Sequence, residues 1–335
     1  MTNDNRPVLD PRTQWFLQFL KDLGRPQVWE VTVDQARAMQ VKGQELFPVT
    51  KMPAQVDDRI IPVGPRGTVQ IRILRPEGAT GVLPVVMYFH GGGWVLGDAG
   101  TYDRFLRDIV NATGAAVVFV EYRRSPEETF PIPLEECYAA AKWVAEHGAE
   151  IEVDGSRMAV AGDSAGGNMA TVVCHLAKQR GGPRILAQAL LYPATANPGY
   201  GSQSCRDFGQ GYYLTDEAMN WFWRQYVPDS ANDTNPTAVP LFAPLDQLKD
   251  LPPALIITAE CDVLRDEGEA YARNLSQAGV PTTCTRYLGA IHGFMGVNAL
   301  AETPTAIAAT AQMNEMLKKS LSEKAAVLPQ QSAYV

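Results

Sequence analysis

Apolar residues fall at helical spacing near the start of the chain. Trp15, Phe16, Phe19, Leu20 and Leu23 share one side of residues 12–24, and Gly24 and Pro26 close the run. A second helix is expected from Thr32 or Asp34 to about Leu46. From Gln55 the period changes. Short runs rich in Val, Ile, Tyr and Phe, at 55–62, 68–74, 84–89 and 115–121, read as strands punctuated by Gly and Pro. The first two are joined by Pro62-Val-Gly-Pro-Arg-Gly67, short enough for a hairpin. Further strands are expected at 157–161, 186–191, 254–259 and 282–287, alternating with helices at about 101–112, 133–147, 167–180 and 266–278. Strands that are apolar throughout are buried on both faces, so the alternation implies a mostly parallel sheet flanked by helices. In such sheets, ligands bind beyond the carboxyl ends of the strands.

Residues 196 to about 250 break this rhythm. They hold Pro198, Pro228, Pro236, Pro240 and Pro244 and an aromatic cluster of Tyr212, Tyr213, Trp221, Phe222, Trp223 and Tyr226. A long aromatic insertion between two strands is a candidate lid, and the two helices at the start of the chain could lie over the same site.

Composition narrows the function. The chain of 335 residues is 46% hydrophobic and 20% charged, as in a globular protein, and its net charge of −8 argues against nucleic acid or an anionic membrane as main partner. No run of eighteen apolar residues is present, so no membrane span is expected. The polar start, Met1-Thr-Asn-Asp-Asn-Arg-Pro, has no signal-peptide core, which makes a cytoplasmic location the default expectation. Five scattered cysteines without a C-x-x-C spacing suggest neither a disulfide framework nor a zinc site. Neither a metal nor an organic cofactor is called for.

The chemistry starts at Gly162-Asp-Ser164-Ala-Gly166. An apolar run, Met158 to Ala161, precedes it, and a helical run with Met169, Val172, Val173 and Leu176 follows. Strand, Gly-x-Ser-x-Gly and helix in that order is the setting of a nucleophile elbow, where small neighbours let a serine stand at the tip of a strained turn. A serine needs a base, and there are four histidines. His147 ends a polar helix. His175 lies about 16 Å along the helix after Ser164, too far to touch it. His90 closes a strand. His292 remains, in a loop after the last strand, and is the expected base. A carboxylate should fall between serine and histidine in chain order; Asp262, at the end of the strand 254–259, is the leading candidate, with Glu260 and Asp266 as competitors. Asp266 reads more naturally as a helix cap. The loop His90-Gly91-Gly92-Gly93 offers bare amides, so the expected oxyanion donors are the N–H groups of Gly91, Gly92 and Ala165, with His90 holding the loop.

Taken together, His90-Gly-Gly-Gly-Trp94, Tyr122-Arg123 with Pro126-Glu127, Gly162-Asp-Ser164-Ala-Gly-Gly-Asn168, Asp262-Val-Leu-Arg-Asp-Glu267 and His292-Gly-Phe294 resemble the hormone-sensitive-lipase family of α/β-hydrolases, the bacterial family IV esterases. The resemblance runs from about residue 55 nearly to the end of the chain. It implies an eight-stranded, mostly parallel α/β-hydrolase sheet flanked by helices, a helical cap, and hydrolysis of small carboxylic esters with short acyl chains. It also selects Asp262, because the family's triad acid opens the Asp-x-Leu-Arg-Asp-Glu run. Arg124 and Ser125 depart from the family's usual Tyr-Arg-Leu-Ala-Pro-Glu, without touching a catalytic position.

On this reading residues 1–50 are the first part of the cap and 51–320 the catalytic domain. Residues 196–240 are the inserted second part of the cap, and 321–335 a flexible tail. Trp94, Asp98, Tyr192 and Phe294 are the expected pocket residues from their positions beside the site. The last strand, 282–287, offers an edge for a homodimer. An amidase, carbamate, lactone or thioester hydrolase of the same fold would share the triad, and a non-catalytic receptor would share the fold but lack the histidine.

Overall fold

The computed structural model describes residues 7–322. Asp10 caps the first helix, α1 (Pro11–Leu23), by accepting from the amides of Arg12 and Thr13. Thr32 and Gln35 form a capping box at the start of α2 (Val33–Glu45). There follow β1 (Ala54–Ile61), β2 (Val69–Pro76), β3 (Leu83–Phe89), α3 (Ala99–Thr113), β4 (Ala116–Glu121), α4 (Ile132–His147), β5 (Val153–Asp163) and α5 (Ala165–Arg180). The chain continues with β6 (Gln188–Leu191), α6 (Gln203–Phe208), α7 (Asp216–Tyr226), α8 (Leu245–Leu248), β7 (Ala254–Cys261), α9 (Arg265–Gln277), β8 (Thr282–Ile291) and α10 (Pro304–Ser322).

The eight strands form one sheet in the order β1-β2-β4-β3-β5-β6-β7-β8. β1 and β2 are the expected antiparallel hairpin, β2 pairs antiparallel with β4, and every later pairing is parallel. Alternate residues of each central strand feed two cores. Met87, Phe89, Val160 and Ile256 pack on one face against residues of α4, α5 and α9, while Val86, Tyr88, Ala161 and Ile257 pack on the other against residues of α3 and α10. A large side chain fully buried in this way contributes about 1.5–3 kcal/mol, and the central strands bury nearly every residue they have. The parallel β3, β5, β6 and β7 therefore all end at one rim. No helix among the described residues is long and apolar enough to cross a membrane.

Two elements differ from the sequence reading. α10 was not expected, and a flexible tail was expected from residue 321. Instead the helix runs to Ser322 with Leu321 buried. Its inner face is Ala306, Ala309, Met313, Leu317 and Leu321, a helical repeat that begins with two small residues and so carries little apolar weight. Residues 323–335 of the expected tail lie outside the described residues. β8 was expected to stop at Tyr287 but continues to Ile291. Gly289, at φ 68°, looks like a break in sequence; in the sheet it is the irregularity where pairing shifts between Ala259 and Cys261, and its amide donates to Glu260 Oε2 at 2.7 Å. This kink carries the strand directly to His292.

Candidate active site

β5 delivers Ser164 between two strands and a helix. Its φ of 55° and ψ of −120° lie outside the ordinary regions for a residue with a side chain, a strain of about 1–3 kcal/mol that the surroundings must offset. They do so through backbone bonds. The Ser164 amide donates to Leu191 O at 2.8 Å, and Ser164 O accepts from the amides of Ala194 and Asn168. The glycines on either side are required by close approach: a methyl at Gly162 would collide with Gly166 O, and one at Gly166 with Phe89 O.

His292 stands in the turn that follows β8, with its Nε2 at 2.9 Å from Ser164 Oγ and its Nδ1 at 2.7 Å from Asp262 Oδ2. A carboxylate only accepts, so Nδ1 carries the proton and Nε2 is left free to accept from the serine hydroxyl. Asp262, at 1% exposure, is the most buried of the three, and its other oxygen accepts from Leu264 N at 3.0 Å. The structure thus brings together Ser164, Asp262 and His292. The competing carboxylates are engaged elsewhere. Glu260 braces the β8 irregularity, while Asp266 accepts from Ser204 N and Arg265 and does not cap α9. Glu267 is buried and accepts from the amides of Thr195 and Ala196; burial pushes its carboxyl up to about 8 against those two bonds.

The glycine loop corrects one expectation. The Gly91 amide is not open to a ligand, since it donates to Asp163 Oδ1 at 2.9 Å and lies 3.0 Å from the Tyr102 hydroxyl. Among the described residues, the amides of Gly92 and Gly93 find no acceptor in the protein, and both residues line the cavity over Ser164. Both glycines have left-handed φ, 100° and 61°, and a methyl at Gly93 would collide with the ring of Phe222 on α7. Ala165 begins α5, where the first amides have no partner within the helix. The open donors are therefore Gly92, Gly93 and Ala165.

Asp163 is what holds this loop, and the sequence reading gave it no role. Tyr88 and Tyr102 donate their hydroxyls to it at 2.8 and 2.9 Å. Burial raises its carboxyl above the usual range, opposed by those hydroxyls and by the Gly91 amide. A carboxylate at the end of a buried strand needs partners, and that was the signal available in the sequence. His90 is structural as expected. Its Nδ1 donates to Gly91 O at 2.8 Å, its ring stacks on Tyr122 with centroids 4.1 Å apart, and burial lowers it to about 4.

Above the serine is a cavity of about 850 Å³. Its floor is Gly92, Gly93, Ser164, His292 and Gly293, and its roof comes from α1, α2, α7 and the turn before α7. The four expected pocket residues are not on its wall. Trp94, at φ 61°, turns back into the core and stacks on Tyr226 at 4.5 Å, while Tyr192 and Phe294 are 1% exposed and pack on one another. Tyr192 still bears on the site, edge-on to the His292 ring with centroids 5.0 Å apart. Asp98 caps α3 by accepting from Thr101 N. The wall is formed instead by Phe16, Met39, Met219 and Phe222 of the helices over the strand ends and by Leu214 of the turn before α7.

Known proteins resemble this chain over most of its length. A family model described as an alpha/beta hydrolase fold matches residues 86–296. The carboxylesterase NlhH of Mycobacterium tuberculosis is 36% identical, over 87% of this chain and 90% of its own. The crystal structure of a thermostable esterase from Pseudomonas putida superposes with a TM-score of 0.93 at 43% identity, covering 96% of this chain and 100% of that one. One of the fungal esterases from Rhizomucor miehei superposes with a TM-score of 0.87 at 38% identity, covering 94% of this chain and 97% of that one.

Proposed function

Because the chain belongs to the α/β-hydrolase family, on its carboxylic-ester-hydrolase branch of hormone-sensitive-lipase type, we propose that it cleaves small esters through an acyl-enzyme on Ser164. The observation that carries this reading is the relay from Ser164 Oγ to His292 Nε2 and from His292 Nδ1 to Asp262, laid at the floor of a cavity. Ser164 Oγ attacks the ester carbonyl carbon while its proton passes to His292 Nε2. The carbonyl π electrons move onto oxygen, and the resulting anion receives the amides of Gly92, Gly93 and Ala165. The tetrahedral centre collapses, the C–O bond to the alcohol breaks, and His292 returns the proton to the departing oxygen. Water then enters, gives a proton to the same nitrogen, and attacks the acyl-serine, which regenerates the hydroxyl and releases the acid. Asp262 holds the ring in the required tautomer and stabilises its charged form.

Residues 7–50 and 196–240 form the two parts of the cap over this chemistry, and residues 51–320 hold it. The apolar roof favours short-to-medium acyl chains. Hydrolysis of p-nitrophenyl butyrate by Ser164→Ala tests the reading: kcat should fall by about 10⁶. Activity equal to that of the parent would overturn it.

A further inference from the structure

The chain as a whole is acidic, with a net charge of −8, yet the free charge around its cavity is positive. Lys21, Arg25 and Asp163 are the ionisable lysine, arginine and carboxylate side chains on the wall. Asp163 is saturated by Gly91 and two tyrosines. Neither cation has a carboxylate partner among the described residues, whereas Arg37, the arginine within α2, is clamped by both oxygens of Glu127.

Arg25 stands where the chain passes from α1 toward α2. It follows Gly24, whose left-handed φ of 57° ends α1, and precedes Pro26, which restricts its backbone. Its side chain is half-buried and lies against Gly43 of α2, where Nη1 donates to Met39 O at 3.2 Å. That bond uses one of five N–H groups. Nε and Nη2 have no protein acceptor among the described residues. A partly buried guanidinium on the cavity wall, with Nε and Nη2 unbonded to protein and apolar side chains beside it, is placed to receive an anion.

We propose that Arg25 determines substrate class: this hydrolase takes esters whose acyl part ends in a carboxylate, monoesters of dicarboxylic acids. The proposal rests on the hydrolase reading above. The ester carbonyl sits at Ser164 on the floor, and the hydrocarbon spacer runs along Phe16, Met39 and Met219. The terminal carboxylate meets the guanidinium fork in the roof, with Lys21 adding charge at the rim. A carboxylate matches the planar fork through two parallel bonds. One guanidinium fork, with a single lysine at the rim, suits a monoanion, whereas a phosphate dianion asks for more charged donors.

The test compares mono-p-nitrophenyl adipate and suberate with the uncharged p-nitrophenyl hexanoate and octanoate of equal length. On going from the parent to Arg25→Gln, kcat/KM for the charged esters should fall roughly 10- to 100-fold more than for the neutral ones, mainly through KM. Arg25→Lys should recover part of the difference, and high salt should reduce the parent's preference. Parallel losses for both series, or an unchanged ratio in Arg25→Gln, would overturn the proposal. A parent that cleaves the neutral esters and rejects the charged ones would also refute it while leaving the hydrolase reading intact. A parent that cleaves neither refutes the hydrolase reading itself.

Discussion

On the floor of the cavity, Ser164, Asp262 and His292 hang from backbone that the sheet fixes on both sides. Ser164 alone has three backbone bonds to neighbouring segments, and β5 lies between β3 and β6. The roof is joined to the floor differently. α1 and α2 reach the core through long side chains, with Arg12 on Ala299 O, Gln40 on the Gly97 amide, and Gln44 on Thr101 O and Gly296 O. Floor positions are thus set by strand ends that cannot move without unpairing the sheet, and roof positions by side chains that can be exchanged singly. Reaction type should therefore follow the floor and substrate choice the roof.

Asp262→Asn strikes the floor hardest without removing an atom of bulk. It should lower kcat by about 10⁴ by stabilising the wrong tautomer of His292, with KM little altered. A loss under tenfold would mean that the relay is not what the floor is for. Gly93→Ala strikes where floor and roof touch, because it opposes a φ of 61° and drives a methyl into Phe222. It should cost about 10²–10³ in kcat through the displaced amide, and thermal unfolding should register the strain as well. Phe222→Leu changes the roof alone. The expected result is a shift of acyl preference toward longer chains, with kcat on a short ester within about tenfold of the parent. If kcat collapses with no change in preference, the division between floor and roof is wrong.

The smallest effect concerns acid stability. His90 and His175 are buried, and burial lowers each to about 4 from the ordinary 6.5. A histidine depressed in this way lends stability that is complete above pH 6.5 and lost as pH falls toward 4. His175 lies on the buried side of α5 and bonds Tyr271 of α9 through Nε2 at 2.9 Å, a contact that glutamine can retain. Between pH 6.5 and 4 the parent should lose roughly 3 kcal/mol more than His175→Gln, as read from denaturant unfolding. Parallel curves would contradict this assignment.

The same division explains what the sequence disclosed. Ser164 stood out by its motif at a strand end and His292 by elimination among four histidines, whereas spacing left Asp262 in competition with Glu260 and only the family resemblance selected it. The three side chains lie within hydrogen-bond distance. Which amides face the cavity was not legible. The Gly91 amide is taken by Asp163, and that pairing across 72 residues exists only in the folded sheet. Trp94, Tyr192 and Phe294 were misplaced because adjacency to the site says nothing about which way a side chain turns, and all three turn inward. Arg25 lies 139 positions before Ser164 (164 − 25) and shares no motif with it.

The proposed mechanism requires Ser164 to be the nucleophile, and an organophosphonate p-nitrophenyl ester reads that directly by intact mass and peptide mapping. One phosphonyl group per chain, located on Ser164, with activity lost in proportion to labelling and no uptake by Ser164→Ala, is the predicted result. Labelling of another residue, or full activity in fully labelled protein, would contradict it.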